Sequence, residues 1–167
     1  MTENIFTATI DSSAIKSECG HYRYVLKRVW EPTKVLGAFL CANPSKADHL
    51  LLDATVFKCM NLAVQWGWGG LHVLNLFPQY ETDQKKLVHD EGTDKTNAEY
   101  VTKIFKEVET IVIATGNAHQ QRLKELLQGV APNKLCCLRK NKGGGFLHPS
   151  RIKPEDFKQP IKIDFLQ

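Results

Sequence analysis

The spacing of apolar positions changes period repeatedly along the chain, and each change marks a predicted element. The first 30 residues read as a β region, in which "HYRYVLKRVW" alternates apolar and polar positions and stops before Pro32. "KVLGAFLCA" (34–42) is apolar with little alternation, as expected of a strand buried on both faces. "ATVFKCMNLAVQWG" (54–67) sets Val56, Cys59, Met60 and Ala63 at helical spacing behind Asp53, a good N-cap residue. "GLHVLNL" (70–76) predicts the next strand, and residues 77–93 are polar and read as irregular. "DKTNAEYVTKIFKEVE" (94–109) places Ala98, Val101, Ile104, Phe105 and Val108 on one helix face. "TIVIAT" (110–115) and "KLCCL" (134–138) predict two more buried strands, separated by a helix in "NAHQQRLKELLQG" (117–129) that Gly129 closes. The C-terminal "PIKIDFLQ" has room for a short edge strand, and "WGWGG" (66–70) reads as a helix stop and turn.

Strand and helix alternate from residue 34 onward, which predicts an α/β fold: a mainly parallel central sheet with helices on both faces. At 167 residues the chain suits one domain, with a β region over 1–31 and a core over 34–150. Open sheets of this kind bind ligands beyond the carboxyl ends of their strands. "NPSKAD", "NLFP", "GNAHQ" and "RKNKGGGFLHPSR" follow the four predicted core strands, so two asparagines and the sole His-Pro-Ser fall on one edge.

Composition narrows the classes without choosing among them. Hydrophobic residues make up 43% and charged residues 24%, the balance of a globular protein. A net charge of +4 names no partner, so the placement of the charge matters more than its sum. No apolar run approaches the ~20 residues that span a bilayer. "MTENIFTATIDSS" lacks a signal-peptide pattern, and a cytoplasmic protein without membrane partners is expected. The five cysteines (Cys19, Cys41, Cys59, Cys136 and Cys137) include no CxxC pair, so buried free thiols are the expectation. With no HExxH, Walker loop or GxGxxG present, no metal and no cofactor are expected.

Several residues have both a structural and a chemical reading. Asn43 in "CANPS" either starts a turn, with Ser45 capping the next helix, or holds a water at a strand end beside the stiffening Pro44. Asn75, ending an apolar strand, either bonds neighbouring backbone or reads a planar amide-like edge such as that of a base. Asp53 is a helix cap or a catalytic carboxylate, and Phe57 is core or a stacking platform. His119 lies near a helix start, as a surface residue or part of an anion site. His148, held extended by Pro149, is a bystander or a donor to a developing negative charge. Around it, Arg139, Lys140, Lys142, Arg151 and Lys153 form a solvated surface or a set of phosphate contacts, with Gly143, Gly144 and Gly145 permitting close backbone approach.

Taken in order, "CANPS", "VLNLFP", "IATGNAHQ" and "HPS" resemble the strand-end motifs of the uracil-DNA glycosylase superfamily. The longer run from "NPSKAD" to "NLFP" resembles a bacterial and phage branch known as a domain of unknown function, over most of residues 35–150. The resemblance implies a three-layer α/β/α sandwich and a monomeric DNA glycosylase that hydrolyses the N-glycosidic bond of uracil or another modified base flipped from DNA. By position, Asn43 would hold the attacking water, with Asp53 as a further base, and His148 would stabilise the departing base. Asn75, Phe57 and Pro44 would contact the base, while Ser45, Arg139, Lys140, Lys142, Ser150 and Arg151 would meet the DNA. Cys41 replaces the first motif's glycine and Thr115 the third motif's tryptophan. Arg151-Ile152-Lys153 replaces Pro-Leu-Ser, so either Ile152 serves as the apolar wedge or the wedge is absent. Two other functions fit the same edge: a silent module that binds nucleic acid or an extruded base, and an N-glycosidase acting on free nucleosides or nucleotides.

Overall fold

The buried apolar runs assemble into a sheet whose middle is parallel and whose margins are antiparallel. The computed structural model describes residues 3–80, 91–153 and 158–163. Strands β1 (Asp11–Lys16), β2 (Arg23–Val29), β3 (Leu36–Cys41), β4 (Gly70–Asn75), β5 (Thr110–Ile113), β6 (Leu135–Cys137) and β7 (Ile161–Lys162) form one seven-stranded mixed sheet in the order β1-β2-β4-β3-β5-β6-β7. β4, β3, β5 and β6 run parallel. β1 and β2 on one side and β7 on the other add antiparallel pairs. The protein is therefore α/β, with three described helices: α1 (Ala54–Gln65), α2 (Glu91–Glu107) and α3 (Gln120–Leu127).

Side chains of the central strands alternate between two apolar clusters, which explains why those strands lack a polar face. Ala38, Leu40, Ile111 and Ile113 pack with Val101, Phe105 and Leu123 of α2 and α3. Phe39, Val73 and Val112 face the other way, toward Val56, Cys59 and Leu62 of α1. Each Leu or Ile fully buried in this way contributes about 1.5–3 kcal/mol over its exposed state. α1 stops where expected: Trp66 caps it, and Trp66 and Trp68 lie against Phe39 with ring centroids 5.8 and 5.9 Å away.

Some local expectations need correction. Helix α2 begins at Glu91, earlier than the expected 94, while residues 81–90 of the stretch read as irregular lie outside the described residues. The edge strand in "PIKIDFLQ" is β7, and residues 164–167 lie outside the described residues. Cys41, Cys59, Cys136 and Cys137 are buried free thiols, but Cys19 is free and exposed. Residues 44–52, between β3 and α1, are pinned from β2. Arg23 Nη1 donates to the Ala47 carbonyl at 2.6 Å, and Arg28 Nη2 donates to the Asp48 carbonyl. The Asp48 carboxylate accepts from the backbone N–H groups of Leu51 and Leu50, which holds its pKa down to about 2.

Candidate functional site

The parallel strands end on one edge, and the order reverses between β3 and β5, where the chain departs in opposite directions. A cavity of about 1100 Å³ opens there. Its walls bring together Asn43, Pro44, Ser45 and Asp53 from the segment after β3, and Asn75 from the end of β4. Arg139 follows β6, and His148, Ser150 and Arg151 follow it at longer range. Of the residues singled out from sequence, Phe57, His119, Lys140, Lys142, Ile152, Lys153 and the glycine triplet do not line the cavity. Phe57 sits on α1 with 54% of its surface exposed, so it is neither core nor placed as a platform in this cavity.

Asp53 caps α1 as its sequence position suggests. Its Oδ1 accepts from the N–H groups of Thr55 and Val56, each at 2.9 Å, and Oδ2 accepts from Ala47 N–H at 3.2 Å. Burial pushes its pKa up, but the Ser45 hydroxyl and these three amides outweigh burial and hold the group below the ordinary carboxylate value. Asp53 is thus ionised, with its acceptor sites occupied. Ser45 accordingly ties this carboxylate and caps no helix. The Cys41 thiol, buried beside it, is pushed up to about 12 and stays protonated.

His148 precedes a 3-10 turn, Pro149–Arg151, and its ring closes that turn. The Ser150 backbone N–H donates to Nδ1 at 3.2 Å, and Ser150 Oγ lies 2.8 Å from the same atom. A backbone N–H can only donate, so Nδ1 is the acceptor and a neutral ring carries its proton on Nε2. Burial, reinforced by Arg151, lowers the His148 pKa to about 4 against a smaller opposing effect of Asp53. At neutral pH the cavity therefore holds an uncharged imidazole N–H donor. α1 fixes the segment behind it, since Lys58 Nζ donates to the carbonyls of Ser150 at 2.8 Å and Ile152 at 3.1 Å.

The glycine triplet does something other than expected. Residues 140–146 fold back on themselves, with Asn141 N–H donating to the Gly145 carbonyl at 2.8 Å and Gly144 at φ +79°. Phe146 exchanges backbone hydrogen bonds of 3.0 Å with Gly116, beyond β5. A Cβ on Gly145 would lie 2.0 Å from the Gly116 carbonyl oxygen and 2.5 Å from Asn117 Cα. The close approach that needs glycine is thus to the neighbouring strand-end loop of this chain. Ile152 also departs from the wedge expectation: it is 4% exposed and packs in the cluster containing Val56 and Cys59. His119 sits at the start of α3 in a left-handed conformation, φ 61°, with its ring edge-on to Phe77 at 4.9 Å.

Sequence reasoning missed Arg23, Lys46, Tyr80 and Asn117, which also line the cavity, and saw Thr115 only as a replaced tryptophan. Arg23 is the first residue of β2, and β2 runs antiparallel to β4, so its start meets the edge where the parallel strands end. The only local signal was a basic residue opening an alternating run. Four cavity-lining residues carry a buried polar atom with no hydrogen-bond partner among the described residues: Arg23 Nε, Asn75 Nδ2, Tyr80 OH and Thr115 Oγ1. Buried polar groups are ordinarily paired, so this concentration in one place marks a surface suited to a polar ligand. Among the described residues, no group of three His, Cys, Asp or Glu side chains could hold a metal ion, and no helix is long and apolar enough to cross a membrane.

Residues 23–150 match the family described as protein of unknown function (DUF1643). No curated protein matches the chain.

Proposed function

The chain belongs to this family of proteins of unknown function (DUF1643), and we propose that it is a cytoplasmic DNA glycosylase-like protein with the three-layer sandwich of the uracil-DNA glycosylases. It would hydrolyse the N-glycosidic bond of uracil or another modified base flipped out of DNA. The observation that carries this reading is the convergence of Asn43, Asn75 and His148 on one cavity with Arg139 and Arg151. Breaking an N-glycosidic bond leaves negative charge on the base and positive charge on the sugar. A neutral His148 with its proton on Nε2 donates toward the base without prior protonation. Ionised Asp53 supplies negative charge for the sugar cation, and Asn43 orients the water that attacks it. Arg139 and Arg151, exposed on the cavity wall, meet backbone phosphates. Extruding a base costs a few kcal/mol, and apolar wedges commonly fill the gap. With Ile152 buried, the exposed apolar side chains that could supply such a wedge are Leu50, Leu51 and Leu52, 82%, 55% and 45% exposed in the segment before α1.

A second reading, a silent module that binds nucleic acid or an extruded base, is favoured by one feature. The hydrogen bonds already made to Asp53 leave it a poor proton acceptor, and an amide such as Asn43 cannot serve as a base. Single- and double-stranded oligonucleotides carrying a panel of modified bases, incubated with the protein and then treated with alkali, separate the two. The glycosylase reading expects strand breaks at one modified base, reduced about 10²–10³-fold in Asn43→Ala and His148→Ala. Salt-dependent binding with no abasic product across the panel favours the silent module, and cleavage of free nucleosides alone points to an N-glycosidase for small substrates.

A further inference from the structure

Arg23 is 1% exposed and lines the cavity, yet among the described residues no carboxylate lies within ion-pair distance of it. Nη1 donates to the Ala47 carbonyl, Nη2 donates to Asn75 Oδ1 at 3.3 Å, and Nε has no partner among the described residues. The Tyr80 ring lies 5.9 Å from the guanidinium carbon. A guanidinium in such surroundings remains cationic and has no acceptor atom. The side-chain atom that Asn75 turns toward it must therefore be the oxygen, and the assignment of the amide follows from chemistry. Asn75 is held from its backbone as well, because Asn97 Nδ2 donates to its carbonyl at 2.9 Å. What remains of Asn75 at the cavity is the NH₂ group, buried and without a partner among the described residues.

We propose that Arg23 is a specificity-determining, positioning residue: it locks the Asn75 amide with its NH₂ group toward the ligand and makes the cavity floor donor-rich. The ligand group that meets it is a hydrogen-bond acceptor, an oxo oxygen or anionic edge, and an exocyclic amino group is rejected. This rests on the reading that the cavity takes a nucleobase. Arg23 Nε and Asn75 Nδ2 are donors only, and the hydroxyls of Tyr80 and Thr115 can also donate. An amino group facing Arg23 Nε and Asn75 Nδ2 would leave donor against donor, whereas an oxo group satisfies them and the two hydroxyls adapt to it. The Arg23 cation, which has no ion pair among the described residues and feels a carboxylate only through the longer-range field of Asp53, favours a base that leaves as an anion for the same reason.

The test measures binding of free bases, with nuclear magnetic resonance titrations of the folded protein following the Asn75 side-chain amide. Uracil and cytosine form one matched pair and hypoxanthine and adenine another, each exchanging an oxo group for an amino group and the adjacent ring N–H for an acceptor nitrogen. The oxo member is expected to bind about tenfold more tightly in each pair, the discrimination typical of a well-placed hydrogen-bond reader. Arg23→Met frees the amide to turn and is expected to collapse the preference to about twofold or less. Asn75→Asp guards against a variant that fails to fold, because it keeps an acceptor for Arg23 while removing the NH₂ donor. It is expected to melt at higher temperature than the parent, since Arg23 gains a carboxylate, and to bind uracil about tenfold more weakly. Absence of an oxo preference in the parent, whether neither base binds or both bind alike, overturns the proposal, as does undiminished uracil binding by Asn75→Asp. Oxo preference without excision from DNA overturns the glycosylase reading alone, and excision without oxo preference overturns only this one.

Discussion

At the scale of single residues, the site pairs an aspartate kept ionised by hydrogen bonds with a histidine kept neutral by burial. Hydrogen bonds from Ser45, Val56, Ala47 and Thr55 overcome the burial of Asp53, whereas burial prevails at His148. The histidine carries a consequence for stability. Its pKa is about 4 when folded against an ordinary 6.5, so between those values the unfolded chain binds a proton that the folded chain does not. Stability from this group is complete above the ordinary value and is lost as pH falls through the folded one. His148→Gln is therefore expected to lose less melting temperature than the parent when pH drops from about 7.5 to about 4.5. Equal losses in thermal melts would show that the imidazole is not held neutral by the fold. Asn43, Asn75 and His148 were legible as candidates because each follows a readable strand, and their position needed only the strand order. Arg23 was not legible. Its burial depends on β2 lying antiparallel against β4, a pairing of residues about fifty positions apart that local alternation does not encode.

At the scale of elements, the segment after β6 is placed by packing. The turn over residues 140–146 docks on Gly116 and Asn117, Ile152 enters the α1 cluster, and Lys58 bonds the carbonyls between. His148 sits between these two anchors, so each anchor controls the site at a distance. Gly145→Ala sets a methyl 2.0 Å from the Gly116 oxygen, and relief requires backbone movement, because the obstacle is not a flexible side chain. A destabilisation of about 1–3 kcal/mol in denaturant melts is expected, together with weaker ligand binding as the turn lifts from the cavity wall. Ile152→Ala removes a side chain buried among Val56 and Cys59 and is expected to cost about 2–5 kcal/mol. A wedge exposed to solvent would lose almost no stability on the same change, so the melt alone separates the two roles. Sequence could show that glycines and a histidine share a loop. It could not show whether the backbone they admit is a ligand's or the chain's own.

At the scale of the whole molecule, four parallel strands flanked by antiparallel margins bring Asn43, Asp53, Asn75, Arg139, His148 and Arg151 to one edge. The parallel middle was readable from its unbroken apolar runs, while the margins, polar on alternate positions, depend on pairings that only the fold supplies. The same edge orders the positive charge. Lys46, Arg139 and Arg151 line the cavity, whereas Lys140 and Lys142 lie on the adjoining turn without lining it. A net charge of +4 is too small to hold nucleic acid by general attraction, so affinity must come from the few cations that meet phosphates directly. Each such contact releases counterions and adds about 0.7–0.9 to the slope of log affinity against log salt concentration. The double variant Arg139→Gln/Arg151→Gln is therefore expected to flatten that slope by about 1.4–1.8 in fluorescence-anisotropy titrations of single- or double-stranded oligonucleotides. Lys140→Gln/Lys142→Gln removes the same formal charge from the same segment and is expected to leave the slope unchanged. If both pairs flattened the slope equally, the phosphates would be tracking the turn and not the cavity wall, and a base held in the cavity would have no fixed backbone beside it.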